Sequence, residues 1–207
     1  MSKYLIGFCL LAGLSFGHTA EPAGPPPSEV DPGIAAALEK DGIRIKDGDK
    51  VVMELWFRTT KPTGPASTDA SVTLKQVPQG SLMGVLRFPA RGADRRGQTI
   101  KPGVYTLRLS FFPPNGDHQG VAPQRDFLLL SPAATDKDLK ATPAFDALVE
   151  MSRKASGTPH PAVLSTWKVE EKDFKPGVAQ EGDTDWVLQT KIGDTPIAVI
   201  VAGVFNH

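Results

Sequence analysis

A chain of 207 residues with 23 basic and 23 acidic side chains has no net field to recruit nucleic acid or an anionic lipid surface. Its size allows a single core, and its 19 prolines argue against an architecture of long helices, since proline removes a donor and clashes in a helix interior. The one cysteine, Cys9, lies in a leader-like segment, so disulfides, thiol nucleophiles and thiolate metal sites are excluded from the remainder.

Residues 1 to 20 read as a secretory signal peptide: Lys3 is the only charge ahead of a nearly unbroken apolar run from Leu5 to Phe16, and small residues follow. The run is too short to span a bilayer and no later segment is long and apolar enough, so a secreted or periplasmic chain without a transmembrane segment is expected. Cleavage after Ala20 and cleavage after Gly17 both fit. Gly13-Leu14-Ser15-Phe16-Gly17 matches the G-x-S-x-G pattern of a hydrolase elbow, but a signal peptide is no place for one. Leu14 stands where a lipoprotein signal carries its cysteine, which argues against a lipid anchor.

Residues 21 to 31, with Pro22, Pro25, Pro26 and Pro27, are expected to form a flexible, semi-extended tether. Asp31-Pro32 then supplies an N-cap and a first-turn proline for a short helix at 32 to 40. Ile43 to Ile45 and Val51 to Arg58, joined through Asp47-Gly48-Asp49, read as a hairpin with Met53, Leu55 and Phe57 on one face and Glu54, Trp56 and Arg58 on the other. Ser71 to Gln76 and Leu82 to Phe88 are further strand candidates around the turn residues Pro78-Gln79-Gly80. Lys101-Pro102-Gly103 predicts a type II turn feeding a strand whose Tyr105, Leu107, Leu109 and Phe111 are buried while Thr106, Arg108 and Ser110 face water. Phe127 to Leu130 is a short strand after a long turn at 113 to 124. A helix around 143 to 154 is capped by Thr142-Pro143 and stopped by Gly157, with Phe145, Leu148, Val149 and Ser152 on one stripe. Strands at 163 to 169, 185 to 192 and 195 to 205 finish the chain. Gly193-Asp194 makes a two-residue hairpin turn, and the unbroken apolar run from Ile197 to Ala202 predicts a strand covered on both faces.

These elements predict a mainly β fold: an antiparallel β-sandwich or open barrel of about eight or nine strands with two short helices, forming one domain over 32 to 207. The segment Lys101-Pro102-Gly103-Val104-Tyr105-Thr106-Leu107 resembles the Pro-Gly-x-Tyr-x-Leu stretch common in extracellular Ig-like and prealbumin-like sandwiches. That resemblance covers seven residues and bears on fold only.

No H-x-H or H-E-x-x-H spacing, phosphate loop or nucleotide fingerprint occurs, and no metal or cofactor is expected. His118 beside Asp117 in a glycine-rich turn, and His160 between Pro159 and Pro161, are the weak catalytic candidates, while the terminal His207 carries none. Arg91, Arg95 and Arg96, with Arg125 further along, have the guanidinium forks that suit carboxylate or phosphate, although Asp94 and Asp126 stand beside them as ready ion-pair partners. Trp56, on the polar row of its strand, is the aromatic candidate for ligand stacking. The acidic pairs Asp47/Asp49, Asp136/Asp138 and Asp183/Asp185 fit turn and cap chemistry rather than a calcium loop. The favoured reading is a non-catalytic binding module of the cell envelope or exterior whose ligand-binding residues are Arg91, Arg95, Arg96 and Trp56 and whose partner is a glycan, peptide or protein. The alternative is a secreted hydrolase or metal-dependent enzyme using His118 or His160 with nearby carboxylates. A third is a structural envelope protein with an uncovered edge strand.

Overall fold

The computed structural model describes residues 17–112 and 124–204. The apolar leader with Cys9 and most of the G-x-S-x-G match, the turn carrying Asp117 and His118, and the terminal His207 lie outside the described residues. Among the described residues there are twelve strands and two α-helices: β1 (His18–Pro22), α1 (Pro32–Ala35), β2 (Ile43–Asp47), β3 (Lys50–Phe57), β4 (Leu82–Phe88), β5 (Gly92–Ala93), β6 (Thr99–Ile100), β7 (Gly103–Phe111), β8 (Asp126–Pro132), α2 (Phe145–Ser156), β9 (Val163–Lys168), β10 (Gly177–Glu181), β11 (Asp185–Ile192) and β12 (Thr195–Ala202). Ten of the strands form one antiparallel sheet in the order β1-β2-β3-β4-β7-β8-β9-β12-β11-β10, nearly closed into a barrel because β1 and β10 lie against each other without pairing. The β5-β6 pair stands apart from it. Of the two architectures expected, the open barrel is the one adopted.

Short turns set the register. Gly48, at φ +55°, and Asp49 close the β2-β3 hairpin with Asp47 opposite Lys50, and Gly193-Asp194 closes β11-β12 with Ile192 opposite Thr195. Inward residues of successive strands fill the interior: Met53, Leu55, Met83, Leu86, Leu107, Leu109, Leu128, Leu130, Val199 and Val201 belong to one cluster. The barrel is therefore a packed core with side chains to its axis, as expected of a small barrel. On β12, Ile197, Val199 and Val201 face that core while Ala198 and Ile200 pack outside with Val169 and Val187, so both faces of this strand are covered.

The outer face of β7 departs from expectation. Tyr105, Leu107 and Leu109 are buried in the barrel, but Thr106, Arg108 and Ser110 are buried too, each at 0% exposure. The alternation is real; its polar side is covered by the segment that follows β8. Arg108 makes a bidentate pair with Asp136, Nε to Oδ2 at 2.6 Å and Nη2 to Oδ1 at 2.7 Å. Its remaining donors reach the carbonyls of Gly80 (2.8 Å), Ala141 (2.6 Å) and Asp138 (2.6 Å). All five guanidinium N–H groups are thus satisfied. Thr106 Oγ1 donates to Asp136 Oδ2 at 2.6 Å, and Asp138 Oδ1 accepts from the amides of Lys140 and Ala141. Asp136 to Thr142 is consequently bound to the sheet as an irregular strap, and α2 begins only at Phe145. Ala144 is its N-cap with no side-chain bond, in place of the cap expected at Thr142-Pro143.

Other expectations are corrected in the same way. Residues 21–31 are no tether: Glu21 and Pro22 belong to β1, the amide of Ala23 donates to Gly42 O at 2.9 Å, and Val30 packs with Ile34, Leu38 and Trp56. Apolar contacts offset the cost of ordering a proline-rich chain that is already stiff. A cut after Ala20 would divide β1, whereas a cut after Gly17 leaves it whole. Asp31 caps α1 through Gly33 N at 2.8 Å, with Pro32 in the first turn, but the helix lasts four residues because Leu38 bridges to Arg58 and Glu39 N donates to Phe57 O. Gly103 opens β7 opposite Phe88 at φ +155°, not the value near +80° of a type II turn. Residues 71–76 form a turn-rich loop rather than a strand, since the amides of Thr73 and Leu74 donate to Asp126 Oδ2 (2.9 Å) and Oδ1 (2.8 Å).

Two predictions follow from this packing. A Cβ on Gly80, whose φ is +83°, would lie 2.6 Å from Pro143 O, whereas one on Gly48 would meet open space. Gly80→Ala is expected to cost about 2 kcal/mol or more in urea denaturation and more than Gly48→Ala, which carries only the left-handed backbone penalty of about 1 kcal/mol. Equal costs would show that the strap does not press on Gly80. Asp126 is fully buried, and burial raises its pKa above the ordinary value of about 3.9 despite the amides of Thr73 and Leu74 that favour its charged form. Folded protein then binds the proton more tightly than unfolded chain, so this group's contribution is greatest below about pH 4 and falls as pH rises through the folded pKa. The stability of wild type minus that of Asp126→Asn, measured in urea at successive pH values, is expected to decrease as pH rises from about 4; an increase would reverse the sign assigned to burial.

Candidate functional site

Helix α2 lies over the outer face of β8. Leu128 and Leu130 point into the barrel, so Phe127 and Leu129 point out and meet Leu148 and Phe145 of α2, with Phe112 and Val163 completing the cluster. Phe112 and Phe127 stack with centroids 4.3 Å apart and planes 22° from parallel. The helix does not cover this cluster entirely. A cavity of about 270 Å³ remains, floored by Phe112, Phe127, Phe145, Val149 and Val163 and rimmed by Arg96, Arg153 and His160. No acidic residue is among its lining residues.

The rim is fixed by hydrogen bonds to one short segment. Arg96 Nη2 donates to Pro161 O at 2.7 Å and to Asp94 Oδ2 at 2.8 Å, Gln98 Nε2 donates to Pro161 O at 2.9 Å, and Arg153 Nε donates to Pro159 O at 2.8 Å. His160 itself is exposed, but its carbonyl accepts from Ser156 Oγ at 2.7 Å and its amide donates to Thr158 Oγ1 at 3.1 Å. Ser152 Oγ bonds both the carbonyl and the amide of Ala162, at 3.0 and 2.9 Å, tying the same segment to α2. Two prolines and two guanidinium-bound carbonyls therefore hold the imidazole of His160 at the cavity mouth. Arg96 Nε is buried with no acceptor among the described residues, and Arg153 Nη1 is shared with Glu150 at 2.9 Å on the exposed side of α2.

The sequence candidates separate. Arg96 and His160 meet at this cavity. Arg95, the chain neighbour of Arg96, turns the other way and pairs with Asp185 at 2.8 Å; Arg91 is exposed. Arg125 pairs with Asp69 and donates to Phe112 O. Trp56 is not on a wet face: it is 2% exposed, its Nε1 donates to Gly24 O at 2.7 Å, and the chain from Val30 to Leu38 covers it. The expected grouping of Arg91, Arg95 and Arg96 with Trp56 is therefore corrected, since ion pairing and burial pull its members apart. Among the described residues no group of three or more His, Cys, Asp or Glu side chains is placed to hold a metal ion, and no helix is long and apolar enough to cross a membrane.

Phe145 and Val149 were legible as part of a helical stripe, and their half-exposure is what the stripe did not reveal. Arg153 stands in the last turn of α2, where a cation complements the helix dipole, and that position alone does not mark it as a rim residue. The fold and cavity together define a mainly β protein with a helix-sided apolar pocket and a cationic rim. No protein-family model, curated protein or solved structure matches the chain.

Proposed function

We propose that this protein is a non-catalytic binding module acting outside the cytoplasm, and that the cavity beside α2 receives the C-terminal residue of a peptide or protein partner. One observation carries the reading: an apolar, aromatic floor lies beneath two arginines and a histidine, and although Asp94 and Glu150 pair with the arginines from outside the cavity, no carboxylate lines it. A bare carboxylate next to an apolar side chain has the matching chemistry, since guanidinium donates charge-assisted bonds to the head while the floor takes the body. The volume, about 270 Å³, is small for an extended ligand and suits one side chain with its carboxylate. A cavity shaped by hydrogen-bonded proline carbonyls is preorganised, which limits the ordering cost of binding.

Export rests on the leader-like first residues, and a leader ending at Gly17 leaves β1 complete as the first strand of the sheet. Intact mass of the exported protein is expected to correspond to a chain beginning at His18; a chain beginning at Glu21 would show that β1 is dispensable.

Short peptides ending in Phe or Leu, with free or amidated C-termini, test the binding reading by isothermal titration. Free acids are expected to bind, and amidation or Arg153→Gln to weaken binding about tenfold, the effect of losing one charged hydrogen bond. Equal affinity for acid and amide, or no binding by any free acid, would refute it.

A further inference from the structure

Arg44, Arg87, Arg95, Arg96, Arg108, Arg125 and Arg153 each pair with a carboxylate. Arg58 does not. It follows the end of β3, where its amide donates to Met83 O and its carbonyl accepts from Gly193 N, so its backbone is fixed on both sides. Among the described residues its side chain reaches only Leu82 O, from Nη1 at 3.5 Å, and its buried Nε meets no acceptor. Burial pulls its pKa below the ordinary arginine value, yet guanidinium remains charged at neutral pH, leaving a partly desolvated cation without a counter-ion among the described residues.

That cation borders a second cavity, of about 330 Å³, on a different part of the surface. Thr63, Ser81, Lys140 and Thr142 contribute to its walls, and no acidic residue does. The acids of the neighbouring strap are committed elsewhere: Asp136 to Arg108 and Thr106, and the Asp138 carboxylate to the amides of Lys140 and Ala141. Because Arg108 also holds the carbonyls of Gly80 and Ala141, the walls next to Ser81 and Thr142 are anchored whether or not the cavity is filled.

We propose that this cavity is a binding site for a small oxyanion, the phosphate or carboxylate group of a small molecule, with Arg58 as its anchor and Lys140 as a second positive charge. An oxyanion would supply acceptors for the terminal guanidinium nitrogens of Arg58, whose one bond to a described residue is the 3.5 Å contact with Leu82 O, and the hydroxyl-bearing residues around it offer further donors. This assignment is independent of the cavity beside α2.

Thermal unfolding of the full chain in inorganic phosphate, and separately in succinate, against sodium chloride of matched ionic strength tests it. At least one of the two anions is expected to raise Tm saturably, by about 5 °C at a hundredfold excess over its Kd, and the responding anion identifies which oxyanion the site takes. Arg58→Gln should weaken the response about tenfold, Lys140→Ala less so, and Arg153→Gln at the other cavity not at all. Should Arg58→Gln fail to fold, Arg58→Lys and Lys140→Ala carry the comparison, and both must weaken the response. A shift no larger than that in chloride, or one undiminished in the Arg58 and Lys140 variants, would overturn the proposal.

Discussion

The structure depends on a guanidinium that has no contact with water. Arg108 extends from the outer face of a central strand, and its desolvation in isolation would be prohibitive. It is tolerated because the strap after β8 brings Asp136 to it in a fork-to-fork pair and arranges three carbonyls around the remaining donors. The same contacts hold the strap and the Gly80 turn against the sheet. They also leave Arg108 with nothing to offer a ligand, which makes this fully buried side chain structural.

A second buried charge follows the same logic on the N-terminal side. Glu54, 1% exposed, receives Arg44 Nε at 2.7 Å from β2 and Arg87 Nε at 2.6 Å from β4, its cross-strand neighbours on either side. Arg44 reaches on to Glu21 of β1, so the ladder ties the first strand of the sheet to the fourth. Outward polar residues on this barrel thus fasten either the strap that covers them, as at Arg108, or neighbouring strands to one another, as at Glu54. Arg108 and Glu54 are fully engaged within the protein, whereas Arg96 and Arg58, each with a buried Nε that no described residue accepts from, border the two cavities.

Much of the strand order along the chain was legible because hairpin turns and alternation are local signals. The pairs 43 to 45 with 51 to 58, and 185 to 192 with 195 to 202, follow from two-residue turns. The apolar run 197 to 202 announced its two-sided burial. What alternation does not encode is the environment of the polar row: Thr106 and Arg108 look the same in sequence whether water or a strap covers them. Residues 71–76 carry an alternating pattern, yet the Asp126 carboxylate captures their amides, a contact across more than fifty residues that no local pattern records. Trp56 and the proline-rich stretch from Pro22 to Pro27 fail as independent readings for one shared reason, because each covers the other. At the cavity beside α2, His160 and Arg96 were visible as residue types with suitable chemistry, but their convergence depends on hydrogen bonds to Pro161 made through the fold.

If the Arg108-Asp136 pair fastens the covering strap, the two side chains must be strongly coupled. A double-mutant cycle with Arg108→Met and Asp136→Leu, read by urea denaturation, measures this directly. Each single change is expected to cost about 3–5 kcal/mol by stranding its buried partner, and the double variant to recover at least about 2 kcal/mol of the summed loss. Additive losses, with no coupling beyond about 0.5 kcal/mol, would contradict the account.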